Sequence, residues 1–255
     1  MTRRQQPALM LFAVGMIGLG ILALVYGDFA LVWQPVAPWV PGRTALAYLA
    51  GAIMLIGGAG LFFETTVKWS VRILFPYLIV WTLLKVPALV VAPKMEAVWL
   101  GFGELAVLLA GGWTLFAVLA ELPASFAMGE RGVRLARILF AVAVFPIGLA
   151  HIVYVKETEA LVPAWLHFQT GWAYMTGFGQ IACSLGVFSV FPRVAAAVEA
   201  GMISLFALLV WAPAVVAAPK TRFPWTAFLI SWAIAAGAWV VAQNIGTKGS
   251  DRPKA

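Results

Sequence analysis

WVPGRTALAYLAG at residues 39–51 and WLHFQTGWAYMTG at residues 165–177 read as one passage written twice. At an offset of 126, Trp39, Thr44, Ala47, Tyr48 and Gly51 meet Trp165, Thr170, Ala173, Tyr174 and Gly177. Outward from there, Gly60 and Phe62 meet Gly186 and Phe188. Leu83, Pro87, Ala88, Val90, Ala92, Pro93 and Lys94 meet Leu209, Pro213, Ala214, Val216, Ala218, Pro219 and Lys220. Trp99, Phe102, Ala110, Gly111 and Trp113 then meet Trp225, Phe228, Ala236, Gly237 and Trp239. These nineteen identities fall in 75 positions compared without a gap, where shared apolar composition alone gives roughly seven. The chain reads as a duplication with units at 1–126 and 127–255.

Composition fixes the solvent of both units. Of 255 residues, 63% are hydrophobic and 11% charged, with a mean hydropathy of +0.96. A water-soluble domain keeps roughly a quarter of its residues charged, so this chain is solvated by lipid. Apolar runs fall near 8 to 26, 44 to 63, 71 to 91, 98 to 119, 135 to 154, 169 to 191, 195 to 216 and 225 to 243. Each approaches the ~20 residues a spanning helix needs. A transmembrane barrel would show short alternating strands instead. The expected fold class is an all-α membrane protein, with eight transmembrane helices as two tandem parallel four-helix repeats. The apolar run after Arg3 and Arg4 has the charge pattern of a signal peptide but lacks a clear cleavage site, and reads as a retained first helix.

Lys and Arg divide unevenly between the two sides that eight spans imply. Eleven, among them Arg3, Arg4, Lys68, Arg72, Arg131, Arg134, Arg137 and Arg193, fall on the N-terminal side. Five, Arg43, Lys94, Lys156, Lys220 and Arg222, fall on the other. The positive-inside rule then puts both termini in the cytoplasm. The net charge of +7 is scattered over segment ends, which points away from nucleic acid. An even number of spans per unit makes the repeats parallel, unlike the inverted repeats of many carriers. Ala47/Gly51 and Ala173/Gly177 are small-xxx-small pairs suited to close helix packing. Pro87 and Pro213 are expected to kink the third helix of each unit.

Few residues offer chemistry. The single cysteine, Cys183, excludes disulfides, CxxC pairs and thiolate clusters within one chain. His151 and His167 differ in apparent depth, which disfavours bis-histidine haem ligation. Lys85 and Glu104 are ionisable residues inside spans, costly unless paired or functional. They stand nine residues before and ten after Lys94, so an antiparallel hairpin sets them at nearly equal depth, ~14 Å from the turn. They are expected to form an ion pair, either as a staple between two helices or as a substrate or proton site. His151 and Asp28 fall in the same outer half, and with Lys85 and Glu104 they either line one polar pocket or make separate local contacts. At the offset of 126, Lys85, Glu104 and His151 correspond to Trp211, Ile230 and Val25, so any function would sit where the units differ. Trp33, Trp39, Trp99, Trp165 and Trp225 are expected as interfacial anchors. Tyr48 and Tyr174 mark either a quinone-like ring contact or interfacial anchoring. Glu199 is most simply a partner for Arg193 or Arg137.

The outer loop Gly27-Asp28-Phe29, Trp33-Gln34-Pro35 and Pro38-Trp39-Val40-Pro41-Gly42, followed by the glycine-rich Gly57-Gly58-Ala59-Gly60-Leu61, resembles the DoxX-like membrane proteins. The second half resembles them through Gly148, His151, Leu161-Val162-Pro163-Ala164-Trp165-Leu166, Gly177 and Leu185-Gly186. The likeness covers about Leu9 to Val241. It implies a four-helix bundle per unit in a bacterial inner membrane, and for some members a link to terminal quinol oxidases or thiol redox systems. The chain departs from a redox pattern in lacking paired cysteines and in carrying His151 in one unit only.

No nucleophile triad, metal cluster, phosphate loop or dinucleotide fingerprint is present in the sequence. The leading expectation is an accessory or partner subunit of a membrane redox system, without catalytic activity or a cofactor of its own beyond a quinone contact, its partners being the bilayer and redox proteins. The competing expectation is a carrier or receptor for a small lipophilic or anionic compound. In it Lys85, Glu104, His151, Asp28, Tyr48 and Tyr174 are the candidate ligand-binding residues.

Overall fold

A computed structural model of the chain describes residues 6–246. Arg3, Arg4, Lys248, Arg252 and Lys254, which weigh in the charge asymmetry, lie outside the described residues. The described residues form helices and no strands. These are α1 (Gln6–Tyr26), α2 (Arg43–Gly60), α3 (Val67–Leu83), α4 (Val86–Val91), α5 (Glu96–Leu119), α6 (Gly129–Val153), α7 (Val155–Leu161), α8 (Gln169–Gly186), α9 (Pro192–Phe206), a π-helical segment (Ala207–Trp211), α10 (Ala212–Ala217) and α11 (Arg222–Asn244).

Seven spans among the described residues are long and apolar enough to cross a membrane: α1, α2, α3 with α4, α5, α6, α9 to α10, and α11. The molecule is thus a multi-pass helical bundle. The eighth expected span, α8, matches α2 at 18 residues, but Gln169, Thr170, Thr176, Gln180 and Ser184 dilute its hydropathy and it falls outside that set.

Proline explains the two interrupted spans. Pro87 has no N–H to give to Leu83, and the chain breaks there: Lys85 N–H bonds back to Thr82 O at 3.2 Å instead of continuing the α ladder. Pro213 meets a different solution. The π segment just before it takes up one extra residue without breaking the helix.

α5 and α11 form the centre, each about two-thirds buried. They cross where Gly111 lies against Gly237, so close that a Cβ on Gly111 would overlap the Gly237 backbone. α11 also packs on α1 and α9, and α5 on α6 and α3. Glycines again set the closest approaches outside this pair. Gly20 lies on Gly51 where α1 meets α2, and Gly148 on Gly177 where α6 meets α8. The small residues Ala47 and Ala173 are fully buried at these contacts, as the small-xxx-small spacing anticipates.

Helix bounds recur at the sequence offset. α2 and α8 begin at 43 and 169 and end at 60 and 186, each preceded by a left-handed residue, Gly42 at φ 67° and Phe168 at φ 63°. α4 and α10 recur at the same offset. α9 does not: it starts 125 residues after α3. The link after α8 is one residue shorter than the link after α2, and the π segment restores the count.

Candidate functional site

Loop 27–42 contains turns but no helix, and four helical elements fix it in place. At its start, Asp28 accepts a hydrogen bond from Phe29 N–H at 2.7 Å and from Arg222 at 3.0 Å, and forms an ion pair with Arg43. Arg222 also donates to the Phe29 carbonyl. The Arg43 guanidinium stands over the Phe29 ring at 5.5 Å, and that of Arg222 over Tyr26 at 5.2 Å. One carboxylate therefore joins the exit of α1 to the starts of α2 and α11. Partial burial opposes its charge, but the hydrogen bonds from Arg222, Phe29 N–H and Arg43 prevail and hold the carboxyl below its ordinary 3.8.

Deeper in, the loop inserts Trp33, which is only 8% exposed. Its indole N–H donates to Glu104 at 2.7 Å. The neighbouring carbonyl, Val32 O, accepts from the Lys85 ammonium at 2.7 Å. Gly101 makes room for that ammonium, since a Cβ there would lie 3.2 Å from Nζ. Lys85 itself sits at the break between α3 and α4, where its side chain is free to turn toward the loop.

The expected ion pair between Lys85 and Glu104 is not what the structure contains. The two are near enough to interact electrostatically, yet the ion pairs among the described residues are Arg43–Asp28, Lys68–Glu121 and Arg222–Asp28. Both groups spend their strongest contact on consecutive loop residues, Val32 and Trp33. Val32 is held at φ 31°, a region that a β-branched residue rarely occupies. Gln34 completes the insertion, accepting from Ala30 N–H at 2.7 Å and donating to Tyr77 at 2.9 Å. Beneath lies a cavity of about 20 Å³ lined in part by Met16, Met54, Tyr77 and Trp81, room for one water-sized guest.

The remaining candidates stand apart. His151 is half-buried on α6, with Nδ1 2.8 Å from the Thr176 hydroxyl of α8 and its ring 5.5 Å from that of Phe206. None of its contacts is with Lys85, Glu104 or Asp28, so the four do not share one pocket. Tyr48 is exposed and its hydroxyl lies against Gly27. Tyr174 is exposed and stacks on Phe178 at 6.2 Å. Of the expected interfacial tryptophans, Trp39, Trp99 and Trp165 are exposed, whereas Trp33 is buried because its indole serves Glu104.

Two further polar residues are core groups that the sequence did not single out as such. Gln180 and Glu199 are fully buried. Glu199 pairs with neither Arg193 nor Arg137. It faces the Cys183 thiol.

No family model, curated protein or solved structure matches this chain.

Proposed function

We propose that the chain is a DoxX-like protein of the bacterial inner membrane that acts as a partner subunit of a membrane redox system and has no reaction of its own. In this reading it spans eight times, as two fused four-helix units at 1–126 and 127–255 with both termini in the cytoplasm. The recurring helix bounds and the crossing of α5 and α11 at Gly111 and Gly237, which stand 126 apart, support the duplication.

The observation that carries the partner role is the immobilised loop 27–42. Lys85, Glu104, Arg43 and Arg222 converge on it from different elements, and it presents Val32 and Trp39 outward, Trp39 at 83% exposure. A rigid aromatic platform suits docking, because little entropy is lost when it meets a partner. The same contacts weigh against a carrier site at Lys85 and Glu104, whose polar groups are already engaged.

The cavity beneath the loop is too small for a quinone ring, and Tyr48 and Tyr174 lie on separate outer helices. A quinone would belong to the partner, with these tyrosines at most touching it from the bundle surface.

The test is a photo-crosslinking side chain at position 39 in native membranes. Capture of a quinol oxidase or another redox subunit, lost when Trp33→Ala frees the loop, supports the reading. Purification without any partner, together with solute uptake that needs Lys85, would replace it with the carrier.

A further inference from the structure

The packing of α8 on α9 repeats that of α2 on α3 at two contacts, provided α9 is read one residue early. A Cβ on Gly60 would meet Ser70, and a Cβ on Gly186 would meet Ala195. Three residues earlier in each leading helix, Gly57 backs onto Leu74, and Cys183 faces Glu199. A glycine–leucine contact in one half is thus a thiol–carboxyl contact in the other. The helix pair packs without polar groups at this place in the first half, so packing does not require them in the second.

Glu199 and Gln180 are each 0% exposed. The Gln180 amide has no hydrogen-bond partner among the described residues, and the Glu199 carboxyl has none beyond the facing Cys183 thiol. Gln180 lies three residues before Cys183, on the same buried face of α8. Ser184 completes that face but is satisfied by the Ala141 carbonyl at 2.7 Å. A bare amide in an apolar interior costs free energy, and a bare carboxylate costs far more.

Charge balance narrows what meets the carboxyl. The only titratable group facing Glu199 among the described residues is Cys183, an acid that supplies no positive charge. α11, which packs on the other side of α9, brings Trp239, and its indole is engaged by Ser204 at 3.1 Å. Neutralisation therefore comes from outside the protein, as one positive charge. The helices close tightly at Gly186 on Ala195 and are in ordinary contact at Gly179 on Met202. A proton neutralises the carboxylate without adding volume.

We propose that Glu199, facing Cys183, is a proton-binding site inside the membrane. The α8–α9 link is the nearer end of the helix pair. Glu199 lies seven residues into α9, ~10 Å from its start, and Cys183 three residues from the end of α8. On release the O–H bond of the carboxyl breaks and the proton passes to water at that end. The carboxylate left behind takes a hydrogen bond from the Cys183 thiol. No electrons move, and uptake reverses the same step.

The experiment is carbodiimide labelling of the full chain in lipid vesicles, read by peptide mass spectrometry, because carbodiimides attack the protonated carboxyl in apolar surroundings. Glu199 should be modified, at a rate that falls about tenfold per pH unit above its midpoint. Excess sodium should leave the rate unchanged, and Cys183→Ala should raise the midpoint by removing a donor to the carboxylate. Infrared difference spectra of the unlabelled wild type after a pH jump should show a carboxylic C=O band that Glu199→Gln abolishes. A rate flat between pH ~5 and ~9 would overturn the proposal, as would protection by sodium, which marks a metal-cation site. A carboxyl band that survives Glu199→Gln would do the same.

Discussion

The Trp33 indole reaches the Glu104 carboxyl across 71 residues of chain, at 2.7 Å. This contact nails an irregular loop into a bundle whose other internal contacts are chiefly apolar. Trp33→Phe keeps most of the packing but strips Glu104 of its indole donor. It should destabilise the protein by about 1–3 kcal/mol, seen as a lowered thermal midpoint in detergent. Glu104→Gln retains an acceptor and should cost less. Equal losses from the two substitutions would mean that the indole bond contributes little.

The charge-exchanged double variant of Lys85→Glu and Glu104→Lys is expected not to recover what either single variant loses. Each wild-type group serves a different loop atom, Val32 O or Trp33 Nε1, and exchange satisfies neither. Expression yield and thermal midpoint of the three variants measure this. Full recovery in the double variant would restore the direct ion pair.

Acid should loosen the bundle at its loop end through Asp28. Its folded-state pKa lies below 3.8, so its stabilising contribution is fully present above that pH and is lost as pH falls through the folded value. Asp28→Asn should lower stability at neutral pH and flatten the acid limb of a stability–pH profile. Arg222→Met should do the same in part, since Arg43 remains. An unchanged acid limb in Asp28→Asn would assign the acid sensitivity to other groups.

The crossing of the two central helices tolerates no side chain. Gly111→Leu forces α5 off Gly237 and should cost at least the 1–3 kcal/mol typical of overpacking. Gly201→Ala, where a Cβ meets nothing within 4 Å, is the matched control and should be neutral or slightly stabilising. Comparable midpoints for the two variants would contradict the close crossing.

Val32 holds a left-handed backbone that typically costs 1–3 kcal/mol in a residue other than glycine. Val32→Gly should raise the thermal midpoint, because glycine adopts that conformation without strain. A fall would show that the exposed valine side chain matters more than its backbone.

Much of this was legible in the chain, and the failures have physical causes. Long apolar runs, the two prolines and the small-residue pairs report local chemistry, so the helices, their breaks and the close approaches at Gly51 and Gly177 could be anticipated; the tighter crossing of Gly111 on Gly237 could not. Counting outward from Lys94 placed Lys85 and Glu104 at one depth. It could not show that loop 27–42 folds between them, because an irregular loop has no period to read. Glu199 was assigned to Arg193 or Arg137 from its nearness to a helix end, and the repeat register adds what that reading lacked. Between Phe62 and Leu83 the comparison at offset 126 holds no quoted identity, and there the register slips by one. The gap-free alignment sets Glu199 opposite exposed Ile73, when the packing sets it opposite buried Leu74.

The π segment Ala207–Trp211 therefore has a consequence for how such a molecule can change. In a helix each residue advances the side chain by about 100°, so dropping one codon from the α8–α9 link turns the whole of α9 on its axis. Positions that looked at lipid come to look inward, with no substitution at any of them. A bulge downstream absorbs the missing residue, and α10 and α11 keep their phase. A gene can in this way rotate one helix inside a finished bundle, and so carry a carboxyl into the interior, while every other contact stays where it was.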